Sequence, residues 1–131
     1  VFEQLACLLH TLESVDGVEF ANDPRLGYVT SCPSNLGTGM RASVHARLPY
    51  LTAGGTDTRA VADLARMHGL AVRGVAGEHT RAGADGTVDV SPRARLFVSE
   101  AHILDTLCSG LKELIAAEMD AATVEAEFSP A

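Results

Sequence analysis

No run of apolar residues in this sequence approaches the roughly 20 that a membrane-spanning helix needs, and no charged-then-apolar leader opens it. A membrane protein is therefore not the reading. An excess of basic residues is missing as well. Ten Lys and Arg against 17 Asp and Glu leave a net charge of −7, which argues against non-specific binding of nucleic acid. A small phosphate ligand stays open, because a few arginines can reverse the potential in one pocket. Cysteine is scarce: Cys7, Cys32 and Cys108 are odd in number and lack the paired spacing of a zinc site or a disulfide framework. A reducing compartment follows as the expectation. The histidines share no metal-ligand spacing, with His10, His68 and His102 read as helix-surface residues, so no protein-built metal site is expected. Neither an internal repeat nor a low-complexity block is present. The sequence starts at Val1 without a methionine, and the expectation is a portion of something longer.

What is there describes one ordinary globular domain of 131 residues, 47% hydrophobic and 21% charged. Phe2, Leu5, Leu9 and Leu12 recur at helical steps, so 1–14 reads as an amphipathic helix. Asp16-Gly17 and Asn22-Asp-Pro-Arg25 are turns. Gly27–Ser31 is a short strand stopped by Pro33, and 33–39 is a loop. From Met40 to Leu48 apolar residues alternate with Arg41, Ser43, His45 and Arg47, the pattern of a half-polar strand. Thr56 or Asp57 caps a helix with Val61, Leu64 and Ala65 inward, closed by Gly69. Leu70–Arg73 and Thr87–Val90 are strands, joined by a long, mobile glycine-rich loop over 74–86. A long helix from Ser99 carries Ile103, Leu107, Leu111, Leu114, Ile115 and Met119 on one stripe. It frays into an acidic tail with Glu118, Asp120, Glu125 and Glu127. The predicted fold class is α+β, a mainly antiparallel sheet with flanking helices. Cys7 and Cys108 fall on apolar helix faces and are expected in the core.

Three groups could carry chemistry. Arg41 and His45 share one strand face directly after Gly37-Thr-Gly39; glycines admit backbone amides to an anion, and an arginine offers a planar fork to phosphate oxygens. A solvated strand face beyond an ordinary glycine turn has the same pattern, so the residue types leave both readings open. Arg73-Gly-Val-Ala-Gly-Glu-His79 has the make-up of a flexible cover over an anionic ligand, or of an exposed charged hairpin loop. Cys32, at a strand end beside Ser34 and Asn35, is either a reactive thiol or a half-buried structural one.

Taken in order, these segments resemble the phosphagen (ATP:guanidino) kinases, the family of arginine kinase and creatine kinase. Cys32-Pro-Ser-Asn-Leu-Gly-Thr-Gly-Met-Arg41 is the most specific block, continued by Ala42-Ser-Val-His45 and Leu48-Pro49. Asp23-Pro-Arg-Leu-Gly27 resembles the segment leading into it. Arg73-Gly-x-x-Gly-Glu-His-Thr80 resembles the mobile loop of the arginine-kinase branch. The resemblance covers nearly the whole chain and implies the later part of the family's catalytic domain, with 1–131 as a partial domain. The early catalytic segment and the small helical domain are absent.

The resemblance implies reversible transfer of the terminal phosphoryl group of Mg-ATP to a guanidine, most naturally arginine, by alignment and charge neutralisation. By position, Arg41 and Arg73 would clamp phosphates, and Cys32 and Glu78 would meet the guanidinium. Nucleotide would be lined by Arg41, Ala42, Ser43, Val44, His45, Arg73, Gly74, Val75, Ala76, Gly77 and Glu78, with His45 near the adenosine and Asp89 near the ribose or loop base. Magnesium would be held mainly by phosphates and water. A cytoplasmic protein is the family default. Val75 and Ala76 stand where arginine kinases usually have threonine and arginine, Pro92 replaces a usual asparagine and Phe97 a usual glycine. Two expectations follow: a portion of an active phosphotransferase that is inactive by itself, with a truncated sheet covered by a partner or by missing chain, or a non-catalytic kinase-derived nucleotide-binding or assembly module.

Overall fold

The computed structural model describes residues 2–76 and 80–128. In chain order these are α1 (Phe2–Glu13), β1 (Asn22–Asp23), β2 (Gly27–Tyr28), a 3-10 turn (Pro33–Asn35), β3 (Val44–Arg47), α2 (Arg59–Met67), β4 (Leu70–Arg73), β5 (Thr87–Pro92) and α3 (Glu100–Phe128). The class is α+β, as the alternation of strand and helix patterns implies. β5 is the central strand of an antiparallel sheet in the order β3-β5-β4, and β1 and β2 form a separate hairpin.

One face of the sheet is apolar and meets the helices. Val88 and Val90 of β5, Leu70 of β4, Val61 and Ala65 of α2, and Leu107 and Leu114 of α3 form the core together with Leu48. Each large side chain removed from water in this way contributes about 1.5–3 kcal/mol. The helices reach the sheet because their apolar residues recur at three- and four-residue steps. Gly110 of α3 permits the closest approach: a Cβ there would lie 2.4 Å from the Leu70 side chain.

α2 begins at Thr58, whose side chain makes no capping bond. The sequence pointed to Thr56 or Asp57, and Asp57 does serve the helix from one step outside, its carboxylate accepting the Arg59 backbone N–H at 2.9 Å. The Arg59 side chain, and then that backbone bond, pull the Asp57 carboxyl from 3.8 to about 2. A depressed acid of this kind contributes stability that is complete above its unfolded pKa and disappears as pH falls through about 2. A carbon-detected NMR titration should therefore place the Asp57 midpoint near 2, moving up towards 3.8 in Arg59→Ala. An unshifted midpoint in the native protein would contradict this pairing.

Three sequence expectations are corrected. α1 forms, but Leu5, Leu8, Leu9 and Leu12 stay 42–56% exposed and Cys7 is exposed with them. The helix packs against none of the other named helices or strands among the described residues, so its amphipathic pattern finds no core to enter. Cys108 is also exposed, because the stripe that α3 buries runs through Ile103, Leu107, Gly110 and Leu114. A residue one step along a helix is rotated by about 100° from that stripe. Ile115 (49% exposed) and Met119 (65%) miss it for the same reason. Finally, α3 does not fray into an acidic tail at Glu118 but runs to Phe128. The Glu118 carboxylate instead accepts the backbone N–H groups of Tyr50 and Leu51, both at 2.9 Å, and pins the turn after β3.

The strand expected over Gly27–Ser31 shortens to Gly27–Tyr28, and that over Met40–Leu48 to Val44–Arg47. Among the described residues no helix is long and apolar enough to cross a membrane.

Candidate active site

The polar face of the sheet is built by register. In the antiparallel ladders Asp89 stands opposite His45 on β3 and opposite Arg73 on β4. Directly opposed residues point to the same side, so one carboxylate on the central strand carries a histidine on one flank and an arginine on the other. Arg41, just before β3, reaches the same point: its guanidinium pairs with Asp89 Oδ2 and bonds Ser43 Oγ at 3.2 Å and Ser91 Oγ at 3.5 Å. The Asp89 side chain is only 10% exposed and that of Arg41 35%. Among the described residues Asp89 Oδ1 is buried without a hydrogen bond, 3.8 Å from His45 Nε2.

A residue the sequence reading passed over completes the cluster. Arg95 is 7% exposed, and its guanidinium donates through Nη1 to the carbonyls of Pro92 and Ala94 while Nε has no partner. Burial, and then the positive charges of Arg41 and Arg73, push it below the ordinary arginine value. It remains a cation nonetheless, since arginine starts so high. Arg41 and Arg73 thus flank the Asp89 carboxylate, and both act on the buried charge of Arg95. The only cue in the sequence was a third arginine in Arg93-Ala-Arg95, at the end of β5, where the resemblance supplied no role.

The loop that delivers Arg41 is held from both sides. Gly37 exchanges both backbone bonds with Tyr28, and the Thr38 N–H donates to the Arg95 carbonyl at 3.2 Å. Gly37 has φ of 113°, and a Cβ there would lie 2.4 Å from that same carbonyl. Gly37→Ala should therefore destabilise the protein by about 1–3 kcal/mol in urea unfolding, from strain and the clash together. Wild-type stability in this variant would show that the loop is not gripped there.

Cys32 starts the 3-10 turn, is exposed, and places Sγ 3.0 Å from Ser34 Oγ. Ala42 packs against the core, Ser43 serves Arg41, and Val44 opens β3. Gly74 is buried at the end of β4, while Val75 and Ala76 are exposed in the following turn. Gly77 and Glu78 lie outside the described residues, as does His79. A groove of about 530 Å³ is lined by Leu5, Leu9, Phe20, Tyr28, Val29 and Met40, among others. It contains none of Cys32, Arg41, Arg73 or Asp89, so the cluster is an open polar sheet face and not that cavity. Among the described residues no group of three or more His, Cys, Asp or Glu could hold a metal ion.

A polar sheet face with clustered arginines has the chemistry of an anion-handling surface. Comparison with known proteins makes the class specific. A family model described as ATP:guanido phosphotransferase, C-terminal catalytic domain, matches residues 1–121. The chain belongs to this family, the phosphagen kinases. Arginine kinase of Limulus polyphemus is 38% identical over 122 residues, covering 93% of this chain and 32% of its own length. Arginine kinase of Artemia franciscana is 41% identical over 104 residues, or 79% of this chain and 28% of its own. Among solved structures, lombricine kinase superposes with a TM-score of 0.73 at 38% identity, over 99% of this chain and 36% of that one. The duplicated taurocyamine kinase of Schistosoma mansoni, solved with bound transition-state-analogue components, gives 0.67 at 36% identity, over 90% and 16%. The chain thus spans about a third of the length of the arginine kinases it matches.

Proposed function

We propose that this chain is one part of an ATP:guanidino phosphotransferase that moves the terminal phosphoryl group of Mg-ATP reversibly to arginine. The observation that carries the reading is the placement of Arg41 and Arg73 beside Asp89, whose carboxylate already pairs with Arg41, with the buried charge of Arg95 close enough to be felt by both. Phosphoryl transfer requires charge on the phosphate oxygens to be neutralised and the reactants to be aligned, and clustered, fixed guanidinium groups suit both tasks. In this reading Arg41 and Arg73 hold phosphates. His45, 60% exposed on the flank of Asp89, faces the adenosine, and Asp89 lies at the base of the nucleotide. The backbone and small side chains of Ala42, Ser43, Val44, Gly74, Val75, Ala76 and Gly77 complete the nucleotide lining. Cys32 and Glu78 take the guanidinium. Magnesium arrives on the nucleotide, held by phosphates and water.

The unit is completed by further chain or by a partner, which covers the exposed face of α1 and the outer edges of β3 and β4. The protein works in the cytoplasm. A second reading, a kinase-derived module without turnover, is favoured by Val75 and Ala76, which leave the turn after β4 without polar side chains at those two positions.

A coupled kinase assay with arginine, creatine and taurocyamine tests both readings. The natural protein that carries this sequence should phosphorylate arginine best, and the 131-residue chain by itself should phosphorylate none. Turnover by the isolated chain would overturn its status as a part. A natural protein inert towards all three guanidines would overturn the enzyme reading.

A further inference from the structure

Among the described residues, Arg95 is a buried charge without a counter-ion. Among the described residues no carboxylate pairs with it, its Nη1 is spent on two backbone carbonyls, and its Nε is buried and unsatisfied. Leaving a cation so placed is costly, and a fold with no use for it would do better with an apolar side chain of the same length. Its position explains the use. Its backbone carbonyl holds the Thr38 N–H in the loop before Arg41, and its guanidinium holds the Pro92 carbonyl, next to the Ser91 whose hydroxyl Arg41 touches.

We infer that Arg95 is a positioning residue for polyphosphate: a buried cation, tied to the loop that carries Arg41, whose charge no described carboxylate offsets and triphosphate oxygens would. This rests on the phosphate-binding role proposed above for Arg41 and Arg73. Arg95 acts through the field and through the loop it anchors, so its contribution depends on ligand charge and not on the base or the guanidine.

The test is calorimetric titration of the natural protein and its Arg95→Met and Arg95→Lys variants with inorganic tripolyphosphate and ADP, and ligand-observed NMR with adenosine. Arg95→Met should weaken tripolyphosphate and ADP about tenfold, the effect of removing one poorly solvated charge from an anion site, while adenosine binding stays unchanged. Arg95→Lys, which keeps the charge but not the fork, should stay within about threefold of wild type for tripolyphosphate. A folded Arg95→Met that binds tripolyphosphate as wild type does, or that loses adenosine equally, would overturn the inference. Should Arg95→Met not fold, Arg95→Lys decides, and a tenfold loss of tripolyphosphate there also overturns it. Wild-type protein that does not bind tripolyphosphate overturns it as well. Wild-type protein that binds tripolyphosphate in the expected variant order, but ADP no better and adenosine not at all, upholds the inference while removing the nucleotide reading.

Discussion

Arg41→Ala is expected to lower kcat/KM for phosphoryl transfer by about 10²–10³, the usual effect of removing one preorganised group from a developing negative charge. Three contacts hold this side chain in place: the Asp89 carboxylate and the hydroxyls of Ser43 and Ser91. It is therefore fixed before substrate arrives, and little reorganisation remains to be done during the reaction. The loss should fall mainly on kcat, because phosphate charge is redistributed most at the transition state. Arg41→Lys should recover only part of it, since an ammonium cannot reproduce the planar fork. Steady-state kinetics on the natural protein, with circular dichroism to confirm folding, decide the matter. A loss of less than threefold in Arg41→Ala would remove Arg41 from the phosphate site.

Asp89→Asn is expected to destabilise the fold by about 1–3 kcal/mol. Breaking a buried ion pair costs about 3–5 kcal/mol, and the figure is lowered here because half of the pair is solvated. The Asp89 side chain is 10% exposed and that of Arg41 35%. Asparagine keeps the shape of the aspartate, so packing is preserved and the charge alone is removed. Without it the repulsion that Arg41 and Arg73 exert on Arg95 is no longer offset by the Asp89 charge. Urea unfolding of Asp89→Asn, Arg41→Met and the double variant isolates the coupling between the two residues. Equal stability of Asp89→Asn and wild type would show that the carboxylate does not hold the cluster together.

The two positions also mark where sequence and structure part. The block that contains Arg41, Cys32 to His45, was legible as a family signature because it is too specific to arise by chance. Asp89 was placed only approximately, at the ribose or the loop base, because nothing local distinguishes an aspartate in Val88-Asp-Val90 from any polar residue on an alternating strand. The ladder register put it between His45 and Arg73. Arg95 was not singled out at all. A cation after a strand end looks like a solvated charge until its burial and the bond from the Thr38 N–H to its backbone carbonyl are seen.

The same division holds for the core. Periodicity alone determined that α1, α2 and α3 are helices, that Val88 and Val90 share a face, and that Val61 and Ala65 point inward, since side-chain direction follows from backbone geometry. It could not decide whether an apolar stripe has a partner. α2 and α3 found one in the sheet, whereas the leucines of α1 stayed exposed, and Ile115 and Met119 lay one step off the buried line that ends in Glu118. Local sequence thus determined the elements and the family block that runs from Cys32 to His45. Tertiary structure decided burial and the meeting of Arg41, Arg73 and His45 at Asp89, because both depend on which distant residues the fold brings within a few ångströms.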